Sequence, residues 1–287
     1  MKEEKVLRLK DGIIELYRKV ATSIPPDVET AIVEAARNED DGLTLNIIID
    51  NIKSARALKR PVCQDTGVPI FWIKLPQGVS QREITPIIIE ATREATIKVP
   101  LRANAVDPLT ELNSGDNTGK GFPIIFYEEY DGASLVIDLM LKGAGCENAS
   151  HTYKLPTDDS VIGLEAHRDF EGVRRCIIDS VLRIQGLSCP PYTLGVAVGA
   201  SKEQVVLLAK RQLLRKLNDV NGIARLAELE GQVLRDINSL GVGPIGLGGK
   251  ATALGVKIAV NHRHPASYFV EVSVSCWALR RGKLIWS

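Results

Sequence analysis

Three cysteines stand where side chains usually do chemistry. Cys63 lies in PVCQDTG ahead of a strand-like run. Cys189 lies in GLSCPPYTLGV, between a predicted helix and a predicted strand, and Cys276 in VSVSCWALRR at a strand's end. Pro, Gly or polar neighbours put each at the edge of an element, where functional groups concentrate. Cys176, in the apolar helical face RRCIIDSVL, reads as a core residue. Cys146, in KGAGCEN, fits neither class. There is no C-x-x-C pair, which argues against a zinc ribbon or a thioredoxin-type site. The odd total of five, after a start without a secretory signal, argues against a disulfide framework. Three widely spaced thiols can serve one metal centre. A four-iron cluster normally takes four thiolates. With three, one iron stays open and can polarise a substrate oxygen. On spacing alone, structural cysteines remain the alternative.

The other motifs carry two readings each. GVGPIGLGGK looks like a phosphate cradle but fails the P-loop pattern. Pro244 stands where the first glycine belongs, and Ala251 follows Lys250 where Ser or Thr is required. KGAGCEN follows a strand and is either an anion-binding nest or a tight turn. Arg102 opens the polar segment LRANAVDP and is either a fork for a carboxylate or a solvated arginine. His264, in NHRHPAS near Arg263, is a candidate acid–base group or a surface histidine.

The elements that must hold these residues follow from periodicity. Val6, Leu9, Ile13, Leu16, Tyr17 and Val20 repeat at helical spacing, and Pro25-Pro26 breaks the pattern. Helices are predicted over 27–36 and 43–58, and a buried strand over 68–75. Ser80 with Glu83 opens a capped helix that runs toward Pro100. Residues 101–122 are a long polar loop, a kind that is usually functional. Strands over 123–127 and 133–141 are expected to pair with each other. A helix is expected over 158–185, a strand over 192–198, and helices over 201–217 and 221–238. Strands over 253–261 and 268–275 close the prediction. The class is mixed α/β (α+β), with a helical N-terminal region and small β-sheets flanked by helices. The 287 residues read as one domain, with a soft internal boundary near 150.

Composition narrows the function classes. Apolar residues make up 45% and charged residues 25%, as in ordinary globular proteins. The 36 basic and 35 acidic residues leave a net charge of +1, so no general nucleic-acid footprint is expected. No apolar run has the length of a membrane span. The charged start MKEEKVLRLK lacks a signal-peptide core, and the expected location is cytoplasmic.

Six motifs occur in order: PVCQDTGVPIFWIK, LRANAVDPLT with SGDNTG, KGAGCEN, GLSCPPYTLGVAVG, GPIGLGGKATALGV and RHPAS with SCWALRR. From about residue 10 to the C-terminus the chain resembles the iron–sulfur (class I) fumarate hydratases and the related L(+)-tartrate dehydratases. More narrowly, it is similar to the alpha subunit of the two-subunit form. The resemblance implies that Cys63, Cys189 and Cys276 hold a [4Fe–4S] cluster with one open iron. It implies that Gln64, Arg102 and Gly145 bind substrate, and that Asp65 and His264 support catalysis. The proton-abstracting threonine and further substrate-binding Arg and Lys residues belong to the other half of the enzyme, so a beta subunit and an α2β2 assembly are expected. One motif departs from the pattern. The family's KGGGSEN carries Ala144 and Cys146 here, which removes some backbone freedom and adds a thiol.

The expected reaction is reversible hydration of fumarate to (S)-malate. L(+)-tartrate or another small hydroxy-dicarboxylate such as mesaconate is the alternative substrate. An iron–sulfur sensor or electron carrier is the non-enzymatic alternative, although a carrier favours a fully ligated cluster. A nucleotide-binding module built on GVGPIGLGGK is the third class.

Overall fold

The computed structural model describes residues 3–39, 42–159 and 163–287. In chain order it contains helices α1 (Glu3–Thr22), α2 (Pro26–Asn38) and α3 (Leu43–Leu58), strand β1 (Val68–Leu75) and helix α4 (Gln81–Lys98). Strands β2 (Ile124–Glu129) and β3 (Leu135–Lys142) and the short helix α5 (Ala144–Asn148) follow. Next come strands β4 (His151–Lys154), β5 (Thr157–Asp159) and β6 (Leu164–Ala166), helix α6 (Phe170–Ile184) and strand β7 (Tyr192–Gly199). Helices α7 (Lys202–Gln212) and α8 (Ala224–Ser239) precede strands β8 (Ala253–Val260), β9 (Phe269–Ser275) and β10 (Arg280–Trp286). The class is mixed α/β, as the periodicity predicts. The chain divides into two compact units, each made of separate stretches of sequence.

The first unit comprises residues 1–25, 50–144 and 280–287. Its sheet has the order β10-β3-β1-β2. β1 is parallel to β2 and antiparallel to β3, and β10 runs antiparallel to β3. This corrects the expected pairing of β2 with β3, because the two flank β1 instead. The run VPIFWIKL is buried along most of its length. A strand buried on both faces must satisfy its backbone polar groups through strands at both edges. α1 and α4 supply the apolar cover. Leu9, Ile13, Leu16, Tyr17 and Val20 of α1 meet Ile84, Ile88 and Ala91 of α4 and Phe71, Ile137 and Leu139 of the sheet in one core. The Ser80 side chain caps α4 by accepting the Arg82 N–H, as its sequence position predicts.

The second unit comprises residues 26–49 and 145–279. Its sheet has the order β4-β9-β7-β8. All eight residues of β7 are buried. Leu194, Val196 and Val198 face one core with α6 and α8, while Ala197 faces Val205 and Ala209 of α7. That alternation places helices on both faces of the strand. The helix expected from residue 158 begins only at Phe170, where Asp169 accepts the Gly172 N–H at 2.7 Å. The residues ahead of it form the β5–β6 hairpin instead, with 160–162 outside the described residues. α7 ends at Gln212 rather than near 217, because the Leu217 N–H turns to the Asp27 carboxylate instead of a helical carbonyl.

A nearly neutral network of charges ties the α7–α8 connection to β8. Arg215 grips Asp219 through two nitrogens and also donates to Glu230 at 2.8 Å. The Lys257 ammonium, 4% exposed, donates to the Asp219 carboxylate at 2.7 Å. Glu230 also accepts the Ile258 N–H at 2.7 Å. Removing one member of such a set strands its partner. Glu230→Ala should therefore cost about 3 kcal/mol, read as a lower urea midpoint at unchanged slope. An unchanged midpoint would show that the network contributes nothing.

Candidate functional site

In the first unit, the candidate residues gather at one end of the sheet. Cys63 to Gly67 lead into β1, and Gly143 and Ala144 leave β3, whose Lys142 pairs with Val68. The Asp65 carboxylate is fixed at both oxygens. One accepts the Gly67 N–H and the other the Ala144 N–H, each at 2.8 Å. A Cβ added at Gly143 would lie 3.1 Å from the Asp65 Oδ2, so glycine is what lets the carboxylate settle there.

The polar segment 101–119 is pinned to this same loop. The Thr66 hydroxyl accepts the Arg102 N–H at 3.1 Å, and the Asn104 amide donates to the Gly67 carbonyl at 3.1 Å. Asn117, 1% exposed, accepts the Asn104 N–H and donates to the Arg102 carbonyl, both at 2.7 Å. The backbone of Arg102 is thus held while its side chain is exposed. Sequence reading singled out Cys63, Gln64, Asp65 and Arg102. It missed Thr66, Asn104 and Asn117, which fix them. The signal was the density of Asn, Thr and Asp in the loop.

In the second unit, Cys189 and Cys276 come to one sheet end. β7 and β9 are antiparallel with Thr193 opposite Ser275, so the residue stretches before β7 and after β9 are neighbours. The Trp277 N–H donates to the Cys189 carbonyl at 3.2 Å. Cys146 joins them, since its sulfur accepts the Cys276 N–H at 3.2 Å. The Tyr192 hydroxyl is raised above the usual phenol range chiefly by burial. The thiols of Cys146, Cys189 and Cys276 add to that shift, so all three lie within electrostatic reach of it. Gly145 sits in the α5 turn, where its carbonyl accepts the Ser188 hydroxyl at 2.9 Å. Its N–H belongs to the first turn of a helix, whose donors have no helical acceptor.

The glycine-rich segment builds this end of the sheet rather than a phosphate cradle. The Ile245 N–H donates to the Pro190 carbonyl at 2.8 Å, one residue past Cys189. Gly246, at φ +78°, packs so closely that an added Cβ would lie 2.5 Å from the Gly186 Cα. The N–H groups of Lys250 and Ala251, which a phosphate would need, already donate to the Glu39 carboxylate.

His264 lies elsewhere. It precedes β9, at the end of that strand opposite Cys276. Seven residues at about 3.3 Å each place the two ends about 20 Å apart. His264 is exposed, and its Nδ1 accepts the Ala266 N–H at 3.1 Å, which fixes the turn.

The thiols differ in a way that bears on metal binding. No disulfide links the five cysteines; Cys189 is exposed, and Cys63 and Cys276 are half-buried. Cys189 is held at φ +55°, an unusual backbone setting for a residue with a side chain. By contrast, burial and the neighbouring Asp179 charge push the Cys176 thiol up to about 12. Cys176 is therefore a core thiol, as its helical position predicts. Among the described residues, no group of three or more His, Cys, Asp or Glu could hold a single metal ion. A four-iron cluster sets a different requirement, thiolate ligands on its separate irons. The half-buried and exposed cysteines suit that chemistry, and Cys176 does not.

Two mixed sheets with thiol- and amide-bearing loops at their ends define a protein that presents polar groups from well-ordered edges. The chain belongs to the fumarate hydratase (Fumerase) family, a family of hydro-lyases, whose model matches residues 10–285. It is 41% identical over 278 residues to a Geobacillus stearothermophilus protein provisionally named a class I fumarate hydratase. That match covers 96% of this chain and 54% of the relative, so the chain spans about half of that protein's length. It is 37% identical over 283 residues to a Methanocaldococcus jannaschii protein provisionally named the alpha subunit of L(+)-tartrate dehydratase, covering 96% of each. It is 32% identical over 289 residues to the L(+)-tartrate dehydratase alpha subunit of Escherichia coli K12, covering 99% of this chain and 92% of the relative.

Gly246→Ala tests whether the glycine segment supports the Cys189 loop. The added methyl meets backbone, and the positive φ adds strain, so a loss of about 1–3 kcal/mol is expected. Iodoacetamide should label Cys189 faster in the variant while Cys176 stays unlabelled at pH 8. Unchanged stability and labelling would sever the glycine segment from the site.

Proposed function

We propose that the chain is the alpha subunit of an iron–sulfur hydro-lyase that reversibly hydrates fumarate to (S)-malate. The observation that best supports this is the placement of Cys189 and Cys276 at one sheet end, in a chain of the fumarate hydratase family. Cys63, Cys189 and Cys276 would hold a [4Fe–4S] cluster. When bound, the cluster supplies a Lewis-acidic iron that polarises the substrate's hydroxyl and carboxylate oxygens.

The chain's own residues do the rest. Arg102 forks onto a substrate carboxylate with a guanidinium whose backbone is already fixed. Gln64, beside the first thiol, and the Gly145 N–H donate to the remaining oxygens. Such donors are effective because they are set before charge develops. Asp65, clamped at both oxygens, orients Gln64 beside it and supports catalysis from there. A base from a beta subunit abstracts the proton. His264 stands too far from Cys276 along β9 to act at a cluster on the same thiol. Its role falls to a site completed by a second copy of the chain, in keeping with an α2β2 assembly.

Two matched relatives are named as alpha subunits and are covered over 92–96% of their length, which supports a partner chain. Those same names favour L(+)-tartrate as the second reading of the substrate. The assembly is expected to be soluble and cytoplasmic, and no helix among the described residues is long and apolar enough to cross a membrane.

The assay is anaerobic turnover of fumarate, (S)-malate and L(+)-tartrate by the chain combined with its partner. Fumarate hydration is expected to dominate, and aeration should abolish it. Arg102→Ala should raise KM by about tenfold or more, the loss of one charge-assisted fork. Preferred dehydration of tartrate would move the substrate to the second reading. Full activity after prolonged aeration in an iron-free preparation would refute the cluster.

A further inference from the structure

Arg280 opens β10 opposite Leu141 and is 2% exposed, among the largest fully buried side chains. Taking a guanidinium out of water is costly, and well-packed apolar residues often replace buried charges without loss of stability. Pairing of β10 with β3 needs only backbone. Stability is therefore a poor account of an arginine here.

Its contacts suggest another account. Nη1 donates to the Asp65 carbonyl at 2.5 Å, across 215 residues of sequence. Among the described residues Nε is buried without a hydrogen-bond partner, so the side chain is not arranged to satisfy itself. A Cβ placed on Gly143 would lie 3.7 Å from Nη2 and 3.1 Å from the Asp65 Oδ2, so guanidinium and carboxylate approach the same glycine. The Asp65 carboxylate is already tied to the Gly67 and Ala144 N–H groups. Arg280 fixes a third polar group of that residue, its carbonyl. With both ends of Asp65 held, Gln64 and Cys63 immediately before it inherit a set direction.

We infer that Arg280 is a positioning residue: through the Asp65 carbonyl it fixes the Cys63–Asp65 loop in its working geometry. The inference rests on the proposed function in treating that loop as part of the site. It assigns a role to a residue in SCWALRR beyond the cysteine.

The test has two arms. In the first, the iron-free full chain is alkylated with iodoacetamide, and Cys63 and Cys189 are followed by peptide mass spectrometry in wild type, Arg280→Met and Arg280→Lys. Losing a charge-assisted bond should open the loop locally, raising Cys63 alkylation about tenfold relative to Cys189 in Arg280→Met. Arg280→Lys, which keeps a charged donor, should give a smaller rise, and it decides the question if the methionine variant does not fold. In the second arm, the chain is assembled with its partner and iron. Arg280→Met should lower kcat by about tenfold with KM changed much less, and Arg280→Lys should partly restore it. A Cys63-to-Cys189 ratio equal to wild type in the folded variants would overturn the inference. So would equal acceleration at both cysteines, which marks general loosening. Absence of turnover in the wild-type assembly would instead refute the proposed function, and the alkylation ratio would still decide Arg280.

Discussion

The antiparallel register of β7 with β9 is the constraint on which the second unit's site depends. Thr193 opposite Ser275 sets where the chain enters one strand and leaves the other. Because side-chain direction alternates along a strand, a slip of one residue would turn every inward Val of β9 outward. Burial of Val270, Val272 and Val274 opposes such a slip. The same hydrophobic pattern that stabilises the sheet therefore fixes which backbone groups meet beyond its end. Cys189 and Cys276 need no contact of their own to be neighbours.

The first unit solves a similar problem with polar groups. β1 is central and buried, so the loop ahead of it must be satisfied locally. Thr66, Asp65, Asn104 and Asn117 supply those bonds among themselves and to nearby backbone. The Asp65 carboxylate and carbonyl, the Thr66 hydroxyl and the Gly67 N–H and carbonyl are all engaged. Two of the residues carrying the network, Asn117 and Arg280, are almost wholly buried. Buried polar networks of this kind rigidify one arrangement. Arg102 and Gln64 are then free to present side chains from a backbone that is already ordered.

Much of this was legible in the sequence, for identifiable reasons. The run Val68–Leu75 and the Ser80 cap carry local signals, and both lie where they were expected. Cys176 was recognisable as core because helical periodicity reports burial. The pairing of β2 and β3 was misread because partner choice depends on β1, a nonlocal competitor. The start of α6 was misplaced by twelve residues, although Asp169 is of a type that caps helix starts. The glycine segment was weighed as a phosphate cradle. That Glu39 occupies its N–H groups is a contact across more than 200 residues, invisible to any motif. Arg280 was quoted only as part of a motif, since nothing local tells a buried arginine from a solvated one.

The claim that most of the account depends on is that Cys63, Cys189 and Cys276 hold an iron–sulfur cluster. The most direct measurement is iron and acid-labile sulfide per chain after anaerobic reconstitution, alone and with the partner subunit. About four of each are predicted, falling sharply in Cys63→Ser, Cys189→Ser and Cys276→Ser and retained in Cys176→Ser. A folded chain that takes up no iron in either preparation, or that keeps its iron in Cys189→Ser, would contradict it.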